Sequence, residues 1–379
     1  MTFAPTEERD ELAATVRKLL GRRSDSGAVR KAVAQAPGHD EGLWRTLCEQ
    51  LVVASLAIPE QYGGAGFSLL ETHAVLEELG AALTPSPLLG SGVLAAQALL
   101  LSGNEPACAR LLPGIAEGTR TAAVCWAGED GRWRTDRSDV QAVEGAQWHL
   151  SGPATLVLDG AAAHTFVVVA RTGPGQVGLF EVDAADDRVR TTSTPAMDTT
   201  VSLARVEFDG VPGAPLTLDA TGALATLHDI AAVAVTALQV GAARRALDMT
   251  VAYSKERVQF GRPIGSFQAL KHRMADMLVQ VETARSASWA AAWSAARLDP
   301  DLPERAALAK AWCSEALNKV ASDAVQLHGG IAITWEHDAQ MVFKRAHATS
   351  QLFGQPHEHR QRLFRHVVAR RSSLDPNQC

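Results

Sequence analysis

Between residues 253 and 268 the chain reads Tyr-Ser-Lys-Glu-Arg-Val-Gln-Phe-Gly-Arg-Pro-Ile-Gly-Ser-Phe-Gln. Arg257, Gln259, Phe260 and Gln268 bring a guanidinium, two amides and an aromatic face into one short stretch. A dinucleotide is met by such a set: Arg grips a pyrophosphate, amides meet polar edges and Phe covers a ring. Gly261 supplies an unusual backbone angle, and Pro263 is expected at an early position of a following helix. An ordinary solvated turn between two helices has the same composition, so residue types alone leave both readings open.

Other candidate chemistry is thinner. His357, Glu358 and His359, with His366 beyond, match no metal-ligand spacing and read as polar residues of a helix or loop. The five cysteines fit no disulfide or zinc pattern; Cys48, Cys108, Cys125 and Cys313 are expected to be buried, and Cys379 to sit at a frayed terminus. The glycines from Gly63 to Gly66 lack the Gly-Lys-Ser/Thr of a phosphate loop and read as a bent connector.

The elements that would position these residues fall in three blocks. Apolar spacing predicts helices over 8–20, 42–51 and 69–79. Alternation and β-branched residues predict strands over 121–126, 156–158, 165–170, 177–182 and 201–208. Helices then return over 224–255, 268–297, 306–328, 338–353 and 360–370. Small residues at 241–243 permit a close helix contact, Asp301 and Glu304 stand at capping-box spacing, and Gly329-Gly330 ends a helix. The fold class is α+β, with an N-terminal helical domain (1–117), a middle antiparallel β domain (118–217) and a C-terminal helical bundle (218–379). The 379 residues suffice for a large core. A net charge of -6 with scattered Lys and Arg excludes nucleic acid as the main partner. The lack of a signal pattern or long charge-free apolar run predicts a cytoplasmic chain without membrane insertion.

The 253–268 stretch resembles the A-Y-x-x-x-R-x-Q-F-G-x-P-L/I-x-x-x-Q signature of the acyl-CoA dehydrogenase family. Pro59-Glu-Gln-Tyr-Gly-Gly-Ala-Gly66, Glu77-Glu78-Leu79-Gly80 and Val206-Glu-Phe-Asp-Gly-Val-Pro212 resemble further pieces of it. The resemblance implies α,β-dehydrogenation of an acyl-CoA thioester: a carboxylate removes the α proton while FAD accepts the β hydride. It also implies an FAD shared between subunits and electrons passed to an electron-transfer flavoprotein or similar acceptor. For the share given to a neighbour, it designates Arg257, Phe260, Phe267, Gln268, Gln326, Gly329 and Gly330 as cofactor-binding.

The share a subunit keeps for its own FAD departs from the family pattern. The flavin-cradling T-E-x-x-A-G-S-D falls on 123–130, where Cys125-Trp126 follow no Thr-Glu and Glu129 replaces the hydroxyl. The catalytic Glu of the E-G-T motif falls on Phe353, its position in other relatives falls on Ala231, and the neighbouring Arg falls on Ala232. Asp229, beside His228, is the remaining candidate base; a two-residue helical offset should turn it away, toward solvent or a cap. This pattern resembles the partner subunit of heteromeric (α2β2) bacterial acyl-CoA dehydrogenases for bulky thioesters such as those of steroid side chains, paired with a paralogous catalytic chain. The alternatives are a homomeric flavin enzyme using Asp229 and a catalytically silent assembly protein.

Overall fold

The computed structural model describes residues 6–374, with side chains through 368; Cys379 lies outside the described residues. The N-terminal block contains α1 (Glu7–Arg23), α2 (Ser26–Val33), α3 (Glu41–Leu51) and α4 (Leu69–Ala82). A wide-turned π segment (Leu88–Ala95) then runs into α5 (Ala96–Ser102), and α6 (Glu105–Ala116) follows. Polar caps set the starts: Asp25, Asp40 and Asn104 accept first-turn N–H groups, and Ser68 forms a capping box with Glu71. The glycine stretch is a bent connector, as expected. A Cβ on Gly64 would lie 1.9 Å from the Ile58 carbonyl oxygen, so only Gly lets the chain fold back there.

The middle block holds β1 (Ala122–Cys125), β2 (Gln141–Val143), β3 (Trp148–Leu158), β4 (Thr165–Gly173), β5 (Gln176–Asp183), β6 (Val189–Ser193) and β7 (Leu203–Thr217). The sheet order is β1-β4-β2-β3-β7-β5, with β6 on β7 and β5 returning to β4. Phe166, Val168 and Ala170 of β4 point into the sheet's own core, while Val167 and Val169 join the core shared with the helices. Both faces of β4 are therefore buried, and its sequence is continuously apolar. Most pairings are antiparallel as expected, but β1 and β2 each meet β4 in parallel. β2 and β3 intervene between β1 and β4, so no tight turn forces those two antiparallel.

The last block begins with α7 (Thr221–Glu256), followed by the hairpin β8 (Val258–Gln259) and β9 (Arg262–Pro263). Then come α8 (Gln268–Arg297), α9 (Leu302–His328), α10 (Ala339–Gln351) and α11 (Pro356–Leu374). By length and composition α7 could cross a membrane, but it is a core helix, buried on every side from Asp229 to Ala243. Its Gly241 meets α4 at the Glu77 carbonyl, and Gly80 of α4 meets the Leu238 carbonyl. Arg244 reaches both Glu77 and Glu78, Arg285 reaches Glu77, and Arg17 reaches Glu78. The Glu-Glu-Leu-Gly sequence thus binds α1, α7 and α8 to α4.

Two expectations need correction. Pro263 lies in no α-helix: it pairs with Val258 in the hairpin, where its missing N–H does no harm on an isolated two-strand edge, and it directly precedes a single 3-10 turn, Ile264–Ser266. Asp301 forms no side-chain cap: its backbone is already helical, and its carboxylate faces Arg305 at 3.5 Å.

The 194–202 loop is tied to α10 by a buried ion pair. Arg345 Nε lies 2.6 Å from Asp198 Oδ2, both side chains are 2% exposed, and Arg345 also donates to Thr200. Arg345→Met leaves the Asp198 charge buried and unpaired, a loss of about 3–5 kcal/mol. The expected result is a marked fall in Tm, with the double variant Asp198→Asn/Arg345→Met recovering part of it.

Candidate functional site

The predicted residues gather at two ends of α7. At its C-terminal end the Arg257 N–H still donates to Tyr253 O, but ψ of 118° takes the chain out of the helix. Phe260 (φ 53°) and Gly261 (φ 75°) form the two-residue turn of the β8–β9 hairpin, and positive φ at both positions marks a type I′ turn. The Phe260 ring is 92% exposed. Arg262 stacks over Phe267 at 4.1 Å, and Phe267 meets Phe260 edge-on at 6.1 Å. Gln268 opens α8, its amide 3.5 Å from His272 Nε2. Arg257 is exposed, and no ion pair among the described residues involves it.

Tyr253 stacks on His328, the last residue of α9, with ring centroids 4.5 Å apart. That contact brings the end of α9 to the end of α7, so Gln326, Gly329 and Gly330, all exposed, join the same corner. Gly329 ends α9 as expected, at φ 66° and ψ -146°, a region open essentially to Gly. Ile333 and Trp335 follow, 76% and 73% exposed. Sequence reading passed over them, although an exposed Ile and Trp directly after a glycine pair were a usable signal.

At the other end of α7, Phe353 is 1% exposed in a left-handed turn (φ 55°) and packs on Trp133 (4.8 Å) and Trp126 (6.4 Å). Buried Lys310 holds this turn in place, with Nζ donating to Ser314 Oγ, Ser350 O and Gly354 O at 3.1–3.2 Å. Burial pushes Lys310 down to about 7. A lone Lys within the Ala-rich 306–311 run was the signal that could have found it.

The segment after β1 closes on itself. Trp126 Nε1 donates to Arg134 O, Glu129 N–H to Asp139, and Arg132 N–H to Asp130. The Glu129 and Arg132 N–H groups are thus taken by the loop's own carboxylates, and those of Gly128 and Gly131 by its carbonyls.

Asp229 is the main correction. It is neither a cap nor solvated but 2% exposed in mid-helix, with Oδ1 2.5 Å from Arg362 Nη1. Burial pushes its carboxyl up and Arg362 opposes that shift. His228 and His359 stack at 5.9 Å beside it. The 357–359 tract opens α11 instead of ligating a metal: Glu358 accepts the Gln355 N–H, and His359 Nε2 lies 2.8 Å from Phe353 O. Among the described residues no cluster has metal-site geometry. A cavity of about 570 Å³ lies between Trp133, His228, Gly354 and the first turns of α11. Asp229 is not part of its lining.

Family models for the acyl-CoA dehydrogenase N-terminal and C-terminal domains match residues 6–119 and 223–368. Acyl-CoA dehydrogenase IpdE2 of Mycolicibacterium smegmatis is 42% identical over 358 residues, covering 94% of this chain and 98% of that one. The chain belongs to the acyl-CoA dehydrogenase family. These are oxidoreductases that act on CH–CH groups with FAD as cofactor. Among solved structures, the ChsE4-ChsE5 complex from Mycobacterium tuberculosis superposes with a TM-score of 0.89, at 32% identity and covering 97% of this chain and 99% of that one. A variant of the Tcur3481-Tcur3483 steroid acyl-CoA dehydrogenase gives 0.87 at 31% identity, covering 97% and 99%.

Phe353, expected from the resemblance at the E-G-T carboxylate position, is a buried ring, and Ala231 and Ala232 are fully buried methyl groups. The two imidazoles nearest this acyl-CoA dehydrogenase turn are held neutral. Burial pushes His228 down to about 3 and His359 down to about 4. The unfolded chain takes up those protons near pH 6.5. Stability present above that pH is therefore lost as pH falls toward the folded values. For His359 the loss between pH 7 and pH 5 should be about 2 kcal/mol. Urea titrations of His359→Asn should show a correspondingly flatter pH dependence; an unchanged slope would show that the fold does not lower the proton affinity of His359.

Proposed function

We propose that this chain is the base-free subunit of a heteromeric α2β2 acyl-CoA dehydrogenase, lending half of an FAD site to a paralogous catalytic chain. The observation that carries this reading is the length of α7. Arg257 and His228 are separated by 29 residues of one helix, about 44 Å at 1.5 Å per residue. A dinucleotide does not span that distance, so the Arg257 corner cannot serve the pocket of its own chain. It serves a neighbour.

When bound, FAD supplies the acceptor for the β hydride. Arg257 would hold the pyrophosphate, Phe260 and Phe267 would cover ring surface, and Gln268, Gln326 and the open backbone at Gly329-Gly330 would meet polar edges. The residues of this chain's own pocket do not fit a flavin. The loop after β1 commits two of its N–H groups to Asp130 and Asp139, and Trp126, Trp133 and Phe353 fill the turn. Phe353 stands where the resemblance puts the catalytic carboxylate, and Asp229 is committed to Arg362 outside the cavity lining. The same observation weighs against a homomeric enzyme using Asp229. The steroid acyl-CoA dehydrogenase among the similar structures supports a bulky, steroid-derived acyl-CoA as substrate of the complex; an electron-transfer flavoprotein as acceptor and a cytoplasmic location are part of the same proposal.

Flavin absorbance per chain tests the proposal. Purified alone, the protein should hold little FAD; co-produced with its catalytic paralogue it should hold roughly one FAD per two chains, as a symmetric α2β2 assembly requires. Arg257→Ala in the complex should weaken FAD retention by about tenfold or more, or ~1.4 kcal/mol. A full FAD load with dehydrogenase activity in the lone chain sinks the proposal. Unchanged FAD in the Arg257→Ala complex would instead favour a silent assembly role.

A further inference from the structure

The loop between α9 and α10 carries more than the glycine pair. It leaves α9 at His328 and enters α10 after His337-Asp338, and its two ends meet: the His328 and His337 ring centroids lie 4.7 Å apart. Tyr253 also stacks on His328, so three rings join the end of α7, the end of α9 and the start of α10. Asp338 pins the same loop end from outside the stack. It accepts from Ser26 Oγ, from Arg30 Nη2 at 3.1 Å and from Arg245 Nη2 at 2.9 Å, which ties it to α2 and α7. Between these anchors, only Ala332 is buried among residues 329–336, so the loop has almost no core of its own to set its shape.

The two imidazoles contribute differently. His328 is 4% exposed, and its Nδ1 lies 2.7 Å from Ala324 O, one turn back in α9. A carbonyl oxygen only accepts, so Nδ1 carries the proton, and Nε2 is an acceptor with no partner among the described residues. This ring therefore serves its neighbours by its faces rather than its edge. His337 Nδ1 accepts the Ala339 N–H at 3.1 Å, at the first turn of α10, while its ring meets His328 at a tilt of 56°. Burial pushes both groups down from the ordinary histidine value, so the stack is neutral at pH 7 and sets no like charges side by side.

We propose that His328 and His337 are positioning residues for the cofactor corner: their paired rings close the 329–336 loop and hold the Gly329-Gly330 backbone in register with Arg257, through Tyr253. This inference rests on the reading that the corner receives a neighbour's FAD. Both residues act through the loop backbone and not by contact with the cofactor. A loop closed in advance loses less conformational freedom when FAD arrives, and that saving appears as affinity.

FAD dissociation from the heteromeric complex, followed by flavin fluorescence, tests this with Arg257→Ala as the reference. His337→Gln removes the ring and keeps a side-chain acceptor for the start of α10; His337→Phe keeps a ring and removes the acceptor. FAD should be held about fivefold more weakly in the Gln variant and close to wild-type strength in the Phe variant. Both should still assemble, as judged by size-exclusion chromatography. His328→Phe, which also keeps a ring, should hold FAD as the wild type does. A purely structural role predicts otherwise: the Phe variant of His337 would be the impaired one, or the Gln variant would lose assembly together with FAD, and either result overturns the inference. Unchanged FAD in His337→Gln, with FAD weakened in Arg257→Ala, overturns this inference alone. Unchanged FAD in Arg257→Ala overturns the cofactor reading and this inference with it.

Discussion

A side chain at Gly241 would place its Cβ 1.9 Å from the Glu77 carbonyl oxygen, and one at Gly80 would reach 2.4 Å from that of Leu238. The backbones of α4 and α7 are therefore in direct contact, and both glycines are required. That closeness lets Arg244 on α7 reach Glu77 and Glu78 together. The dependence is mutual, because removing a guanidinium would leave a buried carboxylate unpaired. With α7 fixed in this way, the position of one end determines the position of the other. The corner that faces outward and the pocket beneath α11 are two ends of one rigid rod.

At the pocket end, the turn around residue 353 is packed without loosening the core. Phe353 occupies the turn with an aromatic ring that packs on two indoles, which favours offset and edge contacts of this kind. Lys310 supplies three hydrogen bonds to hold the turn, at the expense of a buried amine whose charged form is disfavoured. Asp229 and Arg362 neutralise each other.

Much of this was legible in the residues. Periodicity placed α8 at its full extent, Gly329 ended α9, and the 253–268 stretch announced a corner with exposed polar and aromatic groups. Asp229 was misread for a definite reason. A two-residue offset on a helix does turn a side chain away, but solvent follows only if the helix has a wet face. α7 has none over that stretch, and the residue that meets Asp229 lies 133 positions later, where no local pattern could reveal it. Pro263 was misread because a type I′ turn is announced by Asn-Gly or Gly-Gly, and here Phe occupies the first turn position.

That Phe carries its own information. A bulky residue in the left-handed region is disfavoured by about 1–2 kcal/mol, and a ring 92% exposed recovers none of it by burial in this chain. Such a conformation persists when its surroundings over-determine it. Here Arg262 stacks on Phe267, the Ile264 N–H donates to Arg257 O, and Gly265 lies against Ser254, where a Cβ would come within 2.9 Å. The hairpin is thus held in its outward-facing shape before anything touches it. A preformed ring and a preformed guanidinium lose little conformational freedom on contact, which is the main route by which a small surface gains affinity. Strain and exposure at Phe260 are unfavourable in the isolated chain; in the proposed assembly the ring is buried in a neighbour, which would offset both.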